Sequence, residues 1–272
     1  MPHPGGPLTA ALLLLAAAFT ITPENVKQGE VIRIETQQPG AFTARLGARR
    51  IPLFPSPDGG QLGLLPIAAD DPAGPAQLIL EDTTGRTVAE QPVQIIDARF
   101  PIQNIRATAG MQALRASPGE MEAVRELQQT VSESRYWQTP FRHPVPGCMI
   151  SPFGVQRHHN GKPTGNYHRG IDQRAATGVR VRAPAAGLVR LSKMYRLHGG
   201  SVGLDHGHGL TSIHIHLSKL LVKEGDRVEA GQPIGLAGAT GFATGPHLHW
   251  SLYIHGVPTN PLPWLPPLKP CS

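Results

Sequence analysis

The sequence predicts an all-β chain, mainly antiparallel, made of two sheet-built modules joined by one helical connector. Three observations carry this. Glycine (31) and proline (28) are plentiful in a 272-residue chain that is 40% hydrophobic, which points to many turns between short strands rather than to disorder. Short runs of alternating apolar and polar residues recur in both halves. Only around residues 117–135 does the apolar spacing change to a helical one. The length suits two domains of ordinary size, each able to bury its own core.

The first element is a targeting segment. Leu8 to Ala18 is an apolar run rich in Leu and Ala, too short to span a bilayer, and it ends in Ala16-Ala17-Ala18, the small-x-small pattern of a cleavage site. Residues 1–18 are therefore expected to be a signal peptide, and the protein to be periplasmic or secreted. The preceding residues 1–7 carry no Lys or Arg, a departure from the usual cationic start, so cleavage and retention both stay open. No cysteine follows the run, and no lipid anchor is expected.

Residues 19–98 hold short alternating runs, such as Val31-Ile32-Arg33-Ile34-Glu35 and Gln77-Leu78-Ile79-Leu80, broken by clusters such as Ser56-Pro57-Asp58-Gly59-Gly60. That rhythm predicts a small antiparallel β-sandwich. It contains no catalytic cluster, so its role is that of a spacer or of a wall-binding or inhibitory module. Residues 99–140 read as a linker, extended at first. Ser117-Pro118-Gly119-Glu120 then has the form of a helix start, with a serine N-cap, proline at the first position and glutamate at the third. Met121, Val124, Leu127 and Val131 follow along one stripe of a helix expected over about 118–135, lying against the C-terminal half.

From residue 141 to 272 the pattern returns to short strands with glycine punctuation: Arg180–Ala183, Gly187–Leu191, Ser201–Asp205, Thr211–His216 and Pro233–Leu236. The proline-rich tail from Pro258 to Pro270 is expected to wrap the surface toward Cys271. This half is also the cationic one. Residues 19–140 hold 11 Lys and Arg against 14 Asp and Glu, whereas residues 141–272 hold 14 against 5. Twelve of the 13 histidines lie beyond residue 142. A basic surface suits nucleic acid, an anionic membrane or an anionic wall polymer. With 5% aromatics and no interleaved basic-aromatic motif, there is little for base stacking, which argues against nucleic acid. Cys148 and Cys271 bracket the cationic half in the manner of a disulfide fastening its last segment to its first; two free thiols are the alternative.

Three segments supply metal-type ligands: His168-Arg169-Gly170-Ile171-Asp172, His214-Ile215-His216 and His247-Leu248-His249. On a strand the two histidines of His247-Leu248-His249 project from one face and are able to serve one site. A catalytic zinc takes three protein ligands from His and carboxylate and keeps one position open, and this inventory is sufficient. An isolated histidine is more often a packing or surface residue, but three clusters within about 80 residues, each beside glycine turns, are harder to set aside.

Taken with Ser151-Pro152-Phe153-Gly154, Gly178-Val179-Arg180-Val181-Arg182-Ala183, His216-Leu217-Ser218, Gly231-Gln232-Pro233-Ile234-Gly235 and Thr240-Gly241-Phe242-Ala243-Thr244-Gly245-Pro246, these clusters resemble the lysostaphin/LytM-type zinc metallopeptidases, over roughly Ser151 to Leu265. The N-terminal half is similar to the Ig-like domain that precedes the peptidase domain in some exported members. The resemblance implies one zinc per chain, held by His168, Asp172 and His249, with His216 and His247 acting on the water and the developing oxyanion. It implies hydrolysis of peptide bonds in peptidoglycan stem peptides or cross-bridges. Many family members carry tyrosine two residues before the catalytic histidine, where this chain has His214. On a strand His214 would share a face with His216, placed to tune that residue, to bind substrate or to fill the tyrosine's place. The other histidines of this half read as packing or surface residues, His206 as a turn stabiliser beside Gly207.

The alternative from another class is a catalytically silent relative that binds wall material or activates a murein amidase. Such relatives tend to lose zinc ligands, and all three are present. Val222 to Gly235 also resembles the strand-turn pattern of biotinyl or lipoyl carriers, but it offers no modifiable lysine at a hairpin tip and leaves the histidine clusters unexplained.

Overall fold

The computed structural model describes residues 19–272; the predicted signal segment, residues 1–18, lies outside the described residues. The described chain divides into two compact units. One takes residues 19–26, 31–65 and 73–96, and the other takes residues 27–30, 66–72 and 97–272.

The first unit is built from two antiparallel sheets. One has the order Phe19–Thr22, Val31–Thr36, Gln61–Pro66, Phe54–Pro55; the other has Asn25–Lys27, Thr87–Ile96, Gly74–Asp82, Phe42–Leu46, Arg49–Pro52. The alternation read in the sequence is what the strands bury. Ile32 and Ile34 are fully buried, while Arg33 and Glu35 between them face outward and pair at 2.6 Å. Phe42, Ala44 and Leu46 alternate inward in the same way, and Phe19 meets Phe42 edge to face with ring centroids 5.1 Å apart. The cluster at residues 56–60 closes a hairpin: Gly59 takes φ +86°, open to glycine and strained for other residues, and Gly60 N–H donates to Asp58 Oδ1.

The second unit is organised on a larger antiparallel sheet in the order Met149–Ser151, Ile171–Arg174, His247–Ile254, Leu210–Leu217, Gly200–Gly207, Gly187–Met194, Arg227–Val228, with Val257–Thr259 paired to His247–Ile254. Gly200–Gly207 and Leu210–Leu217 are buried along their whole length, so their polar residues need partners inside. His206 supplies one tie, its Nδ1–H donating to Ala186 O and its Nε2 accepting from Ser212 Oγ, both at 2.8 Å. The turn role expected of His206 belongs instead to Asp205, which accepts Gly207 N–H at 2.9 Å and pairs with Arg190. Cys148 and Cys271 form a disulfide across 123 residues of sequence. The tail beside it is also held by backbone bonds, from Met149 N–H to Lys269 O and from Cys271 N–H to Met149 O.

The connector is more structured at its start, and its helix shorter, than the sequence implied. Ile102–Ile105 adds as a parallel strand to Gln156–His159, and Ala109–Ala113 is a short helix capped by Thr108 Oγ1. The main helix runs Glu120–Gln128 rather than over 118–135. At its start Gly119 takes φ +74°, so Ser117 forms a turn outside the helix. Half of the expected capping box survives, with Glu120 Oε2 accepting Ser117 N–H. At its end Thr130 Oγ1 turns back to Glu126 O. Beyond it Ser132 O accepts from His208 and Tyr136 N–H donates to His206 O, so the chain runs extended beside the sheet. Of the predicted stripe only Val124 and Leu127 are buried; Met121 and Val131 are exposed. The buried stripe is Glu120, Val124 and Leu127, the i, i+4, i+7 set of one helix face. Val124 and Leu127 pack with Leu191, Tyr195, Ile213, Ile215 and Tyr253, each worth about 1.5–3 kcal/mol when fully buried.

Candidate metal centre

Strand register assembles the site. Asp172 lies directly opposite His249 on the neighbouring strand, and directly opposed residues share a face. His168 is brought beside them by the turn at Arg169-Gly170. A Cβ at Gly170 would lie 2.3 Å from Trp250 O and 2.6 Å from Ser251 Oγ, so the glycine of this segment is what lets its backbone approach the His249 strand. The three ligand atoms converge: His168 Nε2 is 3.0 Å from Asp172 Oδ1 and 2.9 Å from His249 Nδ1, and His249 Nδ1 is 2.8 Å from Asp172 Oδ1.

The donor set fits a divalent metal. His168 Nδ1 lies 2.8 Å from Pro152 O, which only an N–H satisfies, leaving Nε2 as the lone pair. The far nitrogen of His249, Nε2, is engaged by Ser251 Oγ at 2.8 Å, leaving Nδ1 toward the centre. Fixing the outer nitrogen in this way orients an imidazole ligand and sets its tautomer. Burial pushes His249 down to about 4, against the pull of Asp172, so the ring is neutral at pH 7. Burial pushes the Asp172 carboxyl up, but the adjoining imidazoles, His168 foremost and then His249, hold it well below the ordinary carboxylate range. Neutral imidazoles and an ionised carboxylate are the protonation states that metal binding requires. Among the described residues this is the one group of three such side chains able to hold a metal ion.

Two further imidazoles stand beside the centre. His216 Nδ1–H donates to Thr240 O at 2.9 Å and His247 Nδ1–H to Gly245 O at 2.8 Å, which leaves both Nε2 atoms with a lone pair. The two rings are 4.8 Å apart, and His216 is 6.2 Å from the ring of His249. Burial, then the neighbouring His247 and His249, push His216 down to about 3. All five residues expected at the site therefore come together.

His214 does not join them. The register pairs Ile215 with His249 and His214 with Trp250, so Ile215 faces the centre and His214 the opposite side, where its ring stacks on Trp250 at 6.0 Å. Simple alternation would carry His216 to that far side as well. Instead His216 takes φ +64°, a left-handed conformation that ends the extended backbone and turns its ring toward the centre. The expectation of a shared face for His214 and His216 fails because of this one residue.

Other members carried no motif. Arg157 donates from Nη2 to Asp172 Oδ2 at 3.2 Å and also bonds Gln103 Oε1. Thr240 receives His216. A groove of about 510 Å³ opens at the cluster, with Ile105 and Met111 from the connector and Ile150, Ile215 and Phe242 among its apolar walls. The ring of His159, expected to be a packing or surface residue, stacks on Phe242 at 5.4 Å.

Comparison with known proteins agrees with this architecture. Residues 166–261 match peptidase family M23. The DD-carboxypeptidase/endopeptidase Mpg of Neisseria meningitidis is 40% identical over 114 residues, 42% of this chain and 26% of Mpg. The peptidoglycan DD-endopeptidase ShyA of Vibrio cholerae is 41% identical over 93 residues, 34% of this chain and 22% of ShyA. The chain thus spans about a quarter of the length of the curated relatives it matches. A Pseudomonas aeruginosa crystal structure described as a peptidase M23 superposes with a TM-score of 0.66 at 25% identity, covering 88% of this chain and 93% of that one. The part of this chain that is similar to peptidase family M23 is thus the segment that carries the His-Asp-His centre.

Proposed function

We propose that the protein is an exported zinc metalloendopeptidase that hydrolyses peptide bonds in peptidoglycan stem peptides or cross-bridges. The observation that carries the reading is the convergence of three ligand atoms beside two imidazoles whose Nδ1–H groups are tied to backbone carbonyls. His168, Asp172 and His249 would hold zinc through two nitrogens and one carboxylate oxygen. Zinc bound there supplies Lewis acidity, polarising a peptide carbonyl and making water a nucleophile near neutral pH.

The chain's own residues do the rest. His216 and His247 have Nδ1–H tied to backbone carbonyls, so each works through Nε2. One Nε2 accepts the proton of the attacking water, and the Nε2–H so formed donates to the tetrahedral oxyanion before passing its proton to the leaving amine; the other Nε2 accepts a hydrogen bond from the attacking water. The apolar walls of the groove keep water away from the reacting carbonyl, which strengthens both interactions. Peptidoglycan as substrate is supported by the names of the relatives and by the cationic balance of residues 141–272, which suits an anionic wall. Export is supported by the apolar run before residue 19 and by the disulfide. The domains are proposed as an Ig-like module over 19–98, a connector over 99–140 and the peptidase over 141–272.

Elemental analysis of the purified protein, run alongside release of soluble muropeptides from purified sacculi, tests this. The expected result is one zinc per chain and chelator-sensitive release that His247→Ala abolishes, with mass spectrometry of the products naming the bond. Zinc without release from any sacculus overturns the wall substrate; absence of zinc overturns the metallopeptidase reading in favour of a wall-binding or amidase-activating protein.

A further inference from the structure

The connector helix brings a fully buried carboxylate to the loop that borders the groove. Glu120 is 0% exposed. Its Oε1 accepts Leu197 N–H at 3.0 Å, His198 N–H at 2.8 Å and His198 Nδ1–H at 2.7 Å, and its Oε2 accepts Ser117 N–H at 2.6 Å. The amide before these, Arg196 N–H, donates to Ser117 Oγ at 2.9 Å. Three consecutive amides, 196–198, are thus gripped by one turn of the connector. A carboxylate removed from water is costly unless its lone pairs are taken. Burial pushes Glu120 up, yet the bonds from Ser117 and His198 win and bring it down from 4.5 to about 2. The carboxylate is ionised, and its bonding is charge-assisted.

What the grip holds is the backbone partner of His216. His198 O accepts His216 N–H at 3.0 Å, at the residue whose φ of +64° turns its ring toward the metal centre. From the other side Thr240 O accepts His216 Nδ1–H, and Thr240 Oγ1 donates to Leu217 O and accepts Gly200 N–H. A non-glycine residue stays in the left-handed region only where its surroundings fix it.

We propose that Glu120, which lies outside the matched peptidase segment, is a positioning residue of the active site: it holds the 196–198 loop so that the His198 carbonyl keeps His216 turned into the groove. This rests on the proposed role of His216 in catalysis. The helix's own capping uses the bond from Ser117 N–H to Oε2; a glutamate serving only as a cap would not spend its other oxygen on three donors of a distant loop.

The test uses the full zinc-loaded chain as wild type, Glu120→Ala, Glu120→Gln and Ser117→Ala. The readouts are zinc content, kcat and KM from muropeptide release, and long-range ¹⁵N–¹H NMR of the histidine rings. Glu120→Ala is expected to keep its zinc and its KM within about threefold while losing about 10- to 100-fold in kcat, the scale of a displaced catalytic group, and to shift the His216 ring signals. Glu120→Gln, which retains one acceptor oxygen, should recover part of the loss, and Ser117→Ala should cost about two- to fivefold. Unchanged kcat and unchanged His216 signals in Glu120→Ala, whatever its melting temperature, overturn the proposal and leave Glu120 a purely structural residue. Should Glu120→Ala fail to fold, the same result in Glu120→Gln and Ser117→Ala overturns it. If the wild type itself releases nothing, the peptidase reading fails, while the ring signals still decide whether Glu120 sets His216.

Discussion

Asp172 and His249 face each other across two adjacent strands, Oδ1 to Nδ1 2.8 Å, with His168 Nε2 about equally close to both. Removing the one anionic member leaves two neutral imidazoles to hold a dication. Asp172→Ala is expected to lower metal affinity by more than about 100-fold and to abolish muropeptide release, with the far-ultraviolet circular dichroism unchanged. Competition with a zinc chelator measures the first effect.

Arg157 touches Asp172 on the oxygen turned away from the cluster. Both side chains are largely buried, so the pair is poorly screened. Arg157→Met leaves that oxygen without its partner and allows the carboxylate to rotate. A loss of about 10- to 100-fold in metal affinity is expected, typical of a residue that orients a ligand. Affinity equal to the wild type would show that the strand register alone fixes Asp172.

Gly170 is where the segment from His168 crosses the His249 strand. In Gly170→Ala the new methyl would meet Trp250 O at 2.3 Å, so the strands must separate. A stability loss of about 2 kcal/mol or more is expected, together with weaker metal binding; urea denaturation and chelator competition read the two.

His206 supplies a pH dependence away from the metal. Burial pushes it from 6.5 to about 4, against the bond to Ala186 O and the charge of Asp205. The groups around it are Asp205, Ser212, the buried His214 and the ring of Phe141. The unfolded chain protonates this imidazole below pH 6.5, while the folded chain does so only below about 4. Stability is therefore complete above 6.5, falls as pH drops between the two values, and loses no more from this group below 4. Denaturation at pH 7 and pH 5 should show the fall in the wild type and a shallower one in His206→Gln.

Reduction of Cys148–Cys271 frees a very long loop, which the chain-entropy account values at about 4–5 kcal/mol. The tail is also held by backbone bonds to Met149, so a smaller loss is expected. Thermal melts with and without reductant, and of a Cys148→Ser/Cys271→Ser double variant, check it.

What was legible in the sequence was what strand alternation and motif spacing encode. Ile32 and Ile34 announced their inward faces, and His247-Leu248-His249 announced a paired wall. The placement of His216 was legible only from the motif, because period-two reasoning sends it to the side of His214 and nothing local foretells a left-handed histidine in a strand. The helix end is not legible because Val131 keeps the apolar spacing, while the Thr130 hydroxyl closes on Glu126 O and Ser132 bonds His208 and Asp205. Arg157 and Glu120 were opaque for a different reason: both act across long sequence separations, and only tertiary pairing gives a lone arginine or a capping glutamate its second partner.

The grip of Glu120 on residues 196–198 also bears on how such a protein can be rearranged by recombination. A breakpoint placed at the first strand of the large sheet would transfer every metal ligand and both flanking histidines to a new host, yet leave behind the turn that Ser117 and Glu120 contribute. On the proposed role of Glu120, a transferable cassette would begin upstream of the helix. A gene fusion that respects that seam should carry its activity with it, whereas one cut at the sheet should fold around a competent metal centre and turn over slowly.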